Sequence, residues 1–538
     1  MSSTKKVCVW WVKQDCRLND NEALYRACEH AVACGSSLLI AACLEPSILI
    51  SHEYGPRYYA AKRQALQSLQ NSLKNHQQTV LVLTGEATDF FTKLLQFFQV
   101  TCVIAHQETS SDKGYKRDIS IRSLLASHKV PLKEYRQQAL IRGLKKRDHR
   151  LSEARRPFEQ GHCLPVPNIP AVPSSVISQV KSEVDCREQA ISTKAFFADS
   201  YLSEEINLAK GIQETTEPAA LETLESFFYQ RGLRYSGGIS SPNEAFAAGS
   251  RLSVHLAHGT CSLRQVFSTL NKRMDELKGL SDEQSKQWRR SLNAFRSRLY
   301  WRDHFIQRLE TEVEISYQAI NPAFANIRYD LANEDAHSAA FFSGKTGFPI
   351  IDACMRCLTA TGFLNFRMRA LVTNFASFGL HLPFLTLQDR LGRLFTDYEP
   401  GIHFSQVQMQ AGVVGINTIR VYSPLKQLLD QDPEGIFVRR WLPELEGFGY
   451  EQISTYEISD LGAYPKPCVD FNARAKDMKA QIFAIKRSEF GKSASLKVLE
   501  KHGSQRSTKR KRAITETGVK KPRAKKAQGQ TLGQKVLI

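Results

Sequence analysis

No stretch of this chain approaches the ~18 consecutive apolar residues that a membrane-crossing helix needs, and the opening MSSTKKVCVWWVK carries no long apolar segment behind its lysines. The expectation is a protein that neither enters a membrane nor leaves the cell, placed in the cytoplasm or nucleoid, or the nucleus of a eukaryote. Its 12 cysteines are scattered over 538 residues, which excludes a disulfide framework and leaves reduced thiols. Cys354 and Cys357 form one CxxC with no second pair at matching spacing and no thioredoxin-like βαβ pattern around it, so they read as buried thiols on a helix and no metal site is expected. Internal repeats are absent, which excludes a solenoid. Acidic residues are in short supply: 54 Asp and Glu face 73 Lys and Arg, a formal net charge of +19. A balance this basic meets polyanions through counterion release, and the expected partner is nucleic acid.

What is present is a change of periodicity along the chain. VCVWWV (7–12), LLIAACL (38–44), VLVLTG (80–85) and TCVIAHQ (101–107) read as strands buried on both faces, and segments 20–33, 57–75, 87–97 and 115–127 between them carry helical periodicity. That alternation predicts an α/β domain with a parallel sheet over residues 1–140. Residues 141–218, around VPNIPAVPSS, read as an interdomain connector. Residues 219–486 keep a 3.6-residue period with almost no strand signature, an all-α second domain. Residues 487–538 read as a basic, aromatic-poor, disordered tail. Within it, 501–538 hold 12 Lys and Arg against the single acid Glu516, either a solubilising extension or an arm for DNA.

Three stretches of the helical half carry chemistry. In GSRLSVHLAHGTCSLRQV (249–266), Ser250 and Ser253 stand where a helix would begin after a small-residue run, so free N–H groups, hydroxyls and Arg251 can converge on a phosphate; taken alone, the segment also reads as an ordinary serine cap. In TGFPIIDACMRCLTATGFLNFRMRALVTNFASFG (346–379), Asn365 and Arg369 are four apart on an otherwise apolar helix, a placement that suits a cavity wall better than a solvated face. LFTDYEPGIHFSQVQMQAGVVGINTIRVYSP (394–424) supplies Asp397 and Glu399, and a carboxylate buried near Arg369 would pair with it. VQMQAGVVGIN (407–417) is a poor helix by its glycines and valines and reads as a loop or short turns.

Taken in order, these stretches resemble the DNA photolyase and cryptochrome family over most of residues 5–450. VWWVKQDCRLNDNEAL is similar to its opening strand and loop, GSRLSVHLAHGTCSLRQV to its cofactor-phosphate segment, and TGFPIIDACMRCLTATGFLNFRMR to its flavin-helix signature. DYEPGIHFSQ resembles its flavin-edge loop, LYWRDHFIQ (299–307) its DNA-side helix and DPEGIFVRRWLPEL (432–445) its closing segment. The resemblance implies a Rossmann-like antenna domain followed by an all-helical FAD-binding domain. It also implies an antenna site in the first half, for which a folate, a deazaflavin and an empty pocket remain equally open. By position, Tyr229 and Gly249, Ser250, Arg251, Leu252 and Ser253 would hold the FAD phosphates and ribityl chain. Phe295, Asn365, Arg369, Asp397, Tyr398, Glu399 and His403 would surround the isoalloxazine, with His403 where many relatives have asparagine. Arg298, Trp301, Arg302, Asn365 and Phe366 would face DNA, Trp301 offering its ring to a flipped lesion unless it is a core aromatic. Trp301, His403 and Arg369 would carry the chemistry.

The resemblance also brings departures. Val407 and Met409 stand where relatives carry WxW, so the flavin-proximal tryptophan of the usual electron relay is missing, and other routes run through Trp288, Trp301, Trp441, Tyr398 or Tyr422. Arg298 replaces a family glutamate, and a titratable imidazole at His403 would bear on flavin protonation. The implied activity is light-dependent splitting of pyrimidine dimers by a monomer acting on ultraviolet-damaged DNA. The competing class is a cryptochrome-like photoreceptor, and a third is a DNA-binding protein with a merely structural flavin.

Overall fold

Five strands form one parallel sheet in the order β3-β2-β1-β4-β5, with β1 (Lys6–Trp11) at its centre. The computed structural model describes residues 5–49, 53–145, 150–184 and 212–503. Along β1, Val7, Val9 and Trp11 enter one core while Cys8 and Trp10 enter the other, the period of two expected of a strand covered on both faces. β2 (Ser37–Leu44), β3 (Val80–Thr84) and β4 (Gln99–His106) match the expected apolar runs. β5 (Leu132–Tyr135) escapes the sequence pattern because LKEY is a four-residue, half-charged edge strand, of the kind that blunts a sheet edge. Between the strands run α1 (Glu22–Ala33), α2 (Pro56–Lys74), α3 (Ala87–Phe97) and α4 (Asp112–Ser127). Asn21 sets the start of α1, its side chain accepting from the Leu24 N–H at 2.9 Å.

The second half is helical, as its periodicity predicts. The elements that build the site are α5 (Glu217–Tyr229), α6 (Ser253–His258), the 29-residue α7 (Glu283–Thr311), α8 (Pro349–Thr361), α9 (Phe366–Phe378) and α10 (Pro400–Gln410). α8 ends at Gly362, whose φ of +68° is a left-handed stop that turns the chain into α9. Two expectations are corrected. Val407–Gln410 continue α10 instead of looping, because Val407 is buried and the turn begins only at Ala411. Residues 487–502 belong to no disordered tail: Glu489–His502 form α11. Ser488 caps it by accepting from the Gly491 N–H, and Ala494 and Val498, four apart, bury one face. Residues 504–538 and 185–211 lie outside the described residues, so the rest of the tail and much of the connector do too.

Glu217 at the start of α5 accepts from the Leu18 and Asn19 backbone N–H groups, both at 2.9 Å, and so fixes the loop after β1 to the helical half. The Arg17 guanidinium donates to the Gly259 carbonyl at 3.0 Å, and Arg57 of α2 donates to the Ala360 carbonyl at the end of α8 at 2.9 Å. Gly259 has a φ of +73°, and a Cβ there would overlap the Gln14 carbonyl and lie 2.6 Å from the Asp15 Cα. Among the described residues no helix is long and apolar enough to cross a membrane.

Candidate functional site

α7 delivers Phe295, Arg298, Leu299, Arg302 and Phe305 to one cavity, a set spaced by three and four residues, with Trp301 beside them. α9 faces it with Asn365 at its N-cap, Phe366 and Arg369; α10 adds Ile402, His403, Gln406 and Val407. The loop between α8 and α9 brings Phe363, the segment before α10 brings Phe395, Asp397, Tyr398 and Glu399, and the entry to α6 brings Gly249, Ser250, Arg251, Leu252 and Ser253. The cavity holds about 310 Å³, at the lower end of small-molecule sites.

Arg369 and Asp397 meet as the sequence predicts: one guanidinium nitrogen, Nη2, lies 2.9 Å from both Asp397 carboxylate oxygens, while Nε donates to the Leu364 carbonyl at 2.7 Å. The Arg369 guanidinium also lies over the Phe395 ring at 4.1 Å, which fixes its plane. Asn365 donates from Nδ2 to the Ile239 and Ser240 carbonyls at 3.0 Å each, so both amide hydrogens are committed and its oxygen is the group left for a ligand.

Arg251 is the least satisfied cation of the wall. Its backbone takes a φ of +58°, its guanidinium stacks on the Phe363 ring at 3.8 Å, and the buried Nη1 has no hydrogen-bond partner. Burial pushes its pKa down to about 10, since the charge is removed from water with no adjacent carboxylate bonded to it. Four further buried atoms of the wall are equally without partners: Arg302 Nη1, Tyr398 Oη, Glu399 Oε1 and Gln406 Nε2. Burial lifts Glu399 to about 7, against the opposing pull of the Arg302 guanidinium 3.5 Å away.

His403 is not the titrating group that the sequence suggests. Burial depresses it to about 4, and its Nε2 lies 2.7 Å from the Gln388 carbonyl, which places the proton on Nε2 and leaves Nδ1 a bare acceptor at neutral pH. On the outer side, Arg298 lies 4.5 Å over the Trp301 ring and 5.5 Å over that of Phe366, which is 41% exposed. Trp301 is therefore not a core residue; it is half-buried and lines the cavity.

Of the residues singled out from sequence, Tyr229 does not reach the cavity. It ends α5, bonds Glu276 at 3.1 Å and lies under Arg273, and the tight turn at Arg231–Arg234 carries the chain on so that Tyr235 lines the wall instead. Phe363, Phe395 and Gln406 were also missed. Gln406 carried a signal, standing three residues after His403 on the same helical face.

The lining residues define the chemistry of a ligand they could hold. Apolar rings line the cavity, orphaned donors and an acceptor sit among them, and the wall includes a guanidinium with no bonded carboxylate, which fits a flat heterocycle carrying an anionic chain. A parallel α/β half followed by a helical half with such a cavity describes a two-part protein built to hold a flat, anionic cofactor. Residues 8–161 match the family model for DNA photolyase, and residues 295–484 match that for the FAD binding domain of DNA photolyase. The chain belongs to the DNA photolyase and cryptochrome family. It is 25% identical to a deoxyribodipyrimidine photo-lyase of a Synechococcus species over 89% of this chain and 96% of that one. It is 26% identical to a cryptochrome DASH of Idiomarina loihiensis over 81% of this chain and 92% of that one. The crystal structure of a class III photolyase from Agrobacterium tumefaciens shares the fold with a TM-score of 0.73 at 21% identity, covering 91% of this chain and 99% of that one.

Proposed function

We propose that this chain is a light-dependent, FAD-containing DNA repair enzyme that splits pyrimidine dimers. One observation carries the reading: the same cavity has along its wall Arg251, whose buried Nη1 lacks a partner, and on its outer side the aromatic and cationic group of Trp301, Phe366 and Arg298. The first suits the phosphates of a dinucleotide, the second a nucleotide turned out of a duplex. When bound, reduced FAD supplies the excited-state electron. The chain's own residues then bind and orient. Arg251, with Gly249, Ser250, Leu252 and Ser253, takes the phosphate side. Asn365 through its free oxygen, Arg369 held by Asp397, Glu399 and the bare Nδ1 of His403 bound the ring system, with Phe295 and Tyr398 packed along it. Trp301 and Phe366 provide aromatic surface for unstacked bases and the Arg298 guanidinium neutralises a backbone phosphate, while Arg302, expected from sequence to face DNA, is turned inward against Glu399. A second, antenna chromophore belongs to the same proposal; the two FAD molecules in the crystal structure of the Sulfolobus tokodaii photolyase support a flavin in that role.

The decisive assay illuminates purified, reduced protein with an oligonucleotide bearing cyclobutane dimers and counts the dimers that remain. Loss of dimers under light and none in the dark is expected; full retention overturns the repair reading. A photoreceptor reading is favoured by one feature, the Arg298 guanidinium covering a face of Trp301, and it predicts FAD photochemistry without dimer loss.

A further inference from the structure

An excited flavin that is to be reduced needs an electron donor within reach, and few of the cavity's groups can serve. Val407 and the aliphatic Ile402 cannot. Of the other routes open from sequence, Trp288, Trp441 and Tyr422 do not line the cavity. Trp301 does, but its Arg298 cation opposes a developing positive charge and its ring neighbour, Phe305, is hard to oxidise. Tyr235 is packed against Phe227 and Phe295.

Tyr398 opens onto more phenols. Its ring centroid lies 5.2 Å from that of Tyr54 and 6.5 Å from that of Tyr58, and Tyr54 and Tyr58 are 4.8 Å apart. All three are buried, at 2%, 2% and 5% exposure. Tyr58 stands in the first turn of α2 and Tyr54 just before that helix, so the cluster crosses from the helical half into the α/β half. There they line a second, small cavity together with Trp11. Lys13 and Arg117 lie 4.6 and 5.1 Å over the Trp11 ring, which disfavours a positive charge on it and ends the oxidisable series at the phenols.

Such a cluster is expensive as plain packing, because a buried hydroxyl without a partner loses its hydration for nothing. Tyr398 Oη is in that position. Glu53 stands at the same place: its backbone oxygen and the Tyr398 ring both press on Gly392, where an added Cβ would lie 3.1 and 2.9 Å from them. The Glu53 carboxyl is bonded on one side to Ser111, its Oε2 is buried without a partner, and its charge bears on both Tyr398 and Tyr54; burial lifts it to about 7, so a fraction is anionic at neutral pH and can take a proton.

We propose that Tyr398, Tyr54 and Tyr58 form an electron relay into the FAD cavity, with Glu53 as the proton acceptor. The proposal rests on the FAD reading above. Tyr398 yields one electron to the photoexcited flavin, and one electron from Tyr54 or Tyr58 refills it. The net loss is one electron and one phenolic proton, the proton moving to the Glu53 carboxylate and leaving a neutral phenoxyl radical. An external thiolate then returns one electron and departs as a thiyl radical, and Glu53 returns the proton.

The full chain, loaded with FAD, is illuminated with blue light in dithiothreitol while flavin absorbance is followed, and samples frozen under light are examined by electron paramagnetic resonance. Tyr54→Phe/Tyr58→Phe should keep the wild-type FAD content, slow photoreduction at least tenfold and remove the tyrosyl signal. Tyr54→Trp, which restores an oxidisable ring, should recover the rate and replace the tyrosyl signal with a tryptophanyl one. Glu53→Gln should slow photoreduction severalfold. Wild-type rates in the double variant, or a tyrosyl signal that persists in it, overturn the relay alone. A wild-type chain that binds no FAD overturns the functional reading and the relay together.

Discussion

Replacing Arg251 by methionine should move two measurements in opposite directions. The guanidinium is buried and has no bonded carboxylate, and the depression of its pKa to about 10 corresponds to roughly 3 kcal/mol of unfavourable charge burial. Methionine replaces the aliphatic stem, is two atoms shorter and brings no charge, so FAD-free protein should gain about 1–3 kcal/mol, the lower figure allowing for partial exposure of the arginine. The same change deletes a charge-assisted hydrogen bond to a phosphate, about 1.5–3 kcal/mol, which weakens FAD binding roughly 10- to 150-fold. Thermal unfolding of the FAD-free chain, followed by titration with FAD monitored by flavin fluorescence, reads both quantities from one preparation. Arg251→Lys keeps charge without the planar stack on Phe363 and should fall between the two. A destabilised FAD-free variant with unchanged FAD affinity would refute the reasoning and make Arg251 a structural residue.

Other outcomes follow from the same physics. Glu399 is held near 7 in the fold, above an unfolded carboxyl, so the folded chain binds the extra proton between about pH 4.5 and 7 and loses stability as pH rises through that window; Glu399→Gln should remove the loss and stabilise the FAD-free protein by about 1–3 kcal/mol at pH 8 in urea unfolding. His403 has the opposite sense: its folded value of about 4 lies below the unfolded one, so stability falls as pH drops from about 6.5 to 4, and His403→Asn should flatten that part of the stability profile by up to about 3 kcal/mol. Gly259→Ala combines a left-handed φ with a clash against the backbone of the loop after β1 and should lower unfolding free energy by at least ~2 kcal/mol in a thermal melt. Removing residues 504–538, which carry 11 Lys and Arg, should reduce the slope of log DNA affinity against log salt while leaving FAD content unchanged; an equal slope would make that segment irrelevant to DNA.

The sheet was legible because parallel strands covered on both faces must be written as unbroken apolar runs, and 7–12, 38–44 and 101–107 are. β5 was not, since a short edge strand is written in charges. The cavity wall was legible where polar residues interrupt an apolar helix, as Asn365 and Arg369 do. Tyr229 misled because position along the chain does not report how a tight turn redirects it, and Tyr235 took the place. α11 went unread although Ser488, Ala494 and Val498 carried a cap and an i,i+4 stripe, because its lysines dominated the pattern. The neutral state of His403 depends on the Gln388 carbonyl and on burial, neither of which a local sequence contains. Glu53 and Tyr54 stand more than 340 residues before Tyr398, so their meeting is a product of tertiary docking alone.

That docking leaves little slack. Gly55 abuts the Arg393 backbone and Gly259 that of Gln14, with Glu217 and Arg17 tying the same seam. Interfaces packed to this density do not swing open as hinges; they transmit displacement. On the proposed function, a change triggered by light in the cavity would have to leave it by rotamer changes and proton shifts among the few side chains that span the seam, and those side chains would set the speed at which the rest of the molecule learns of it.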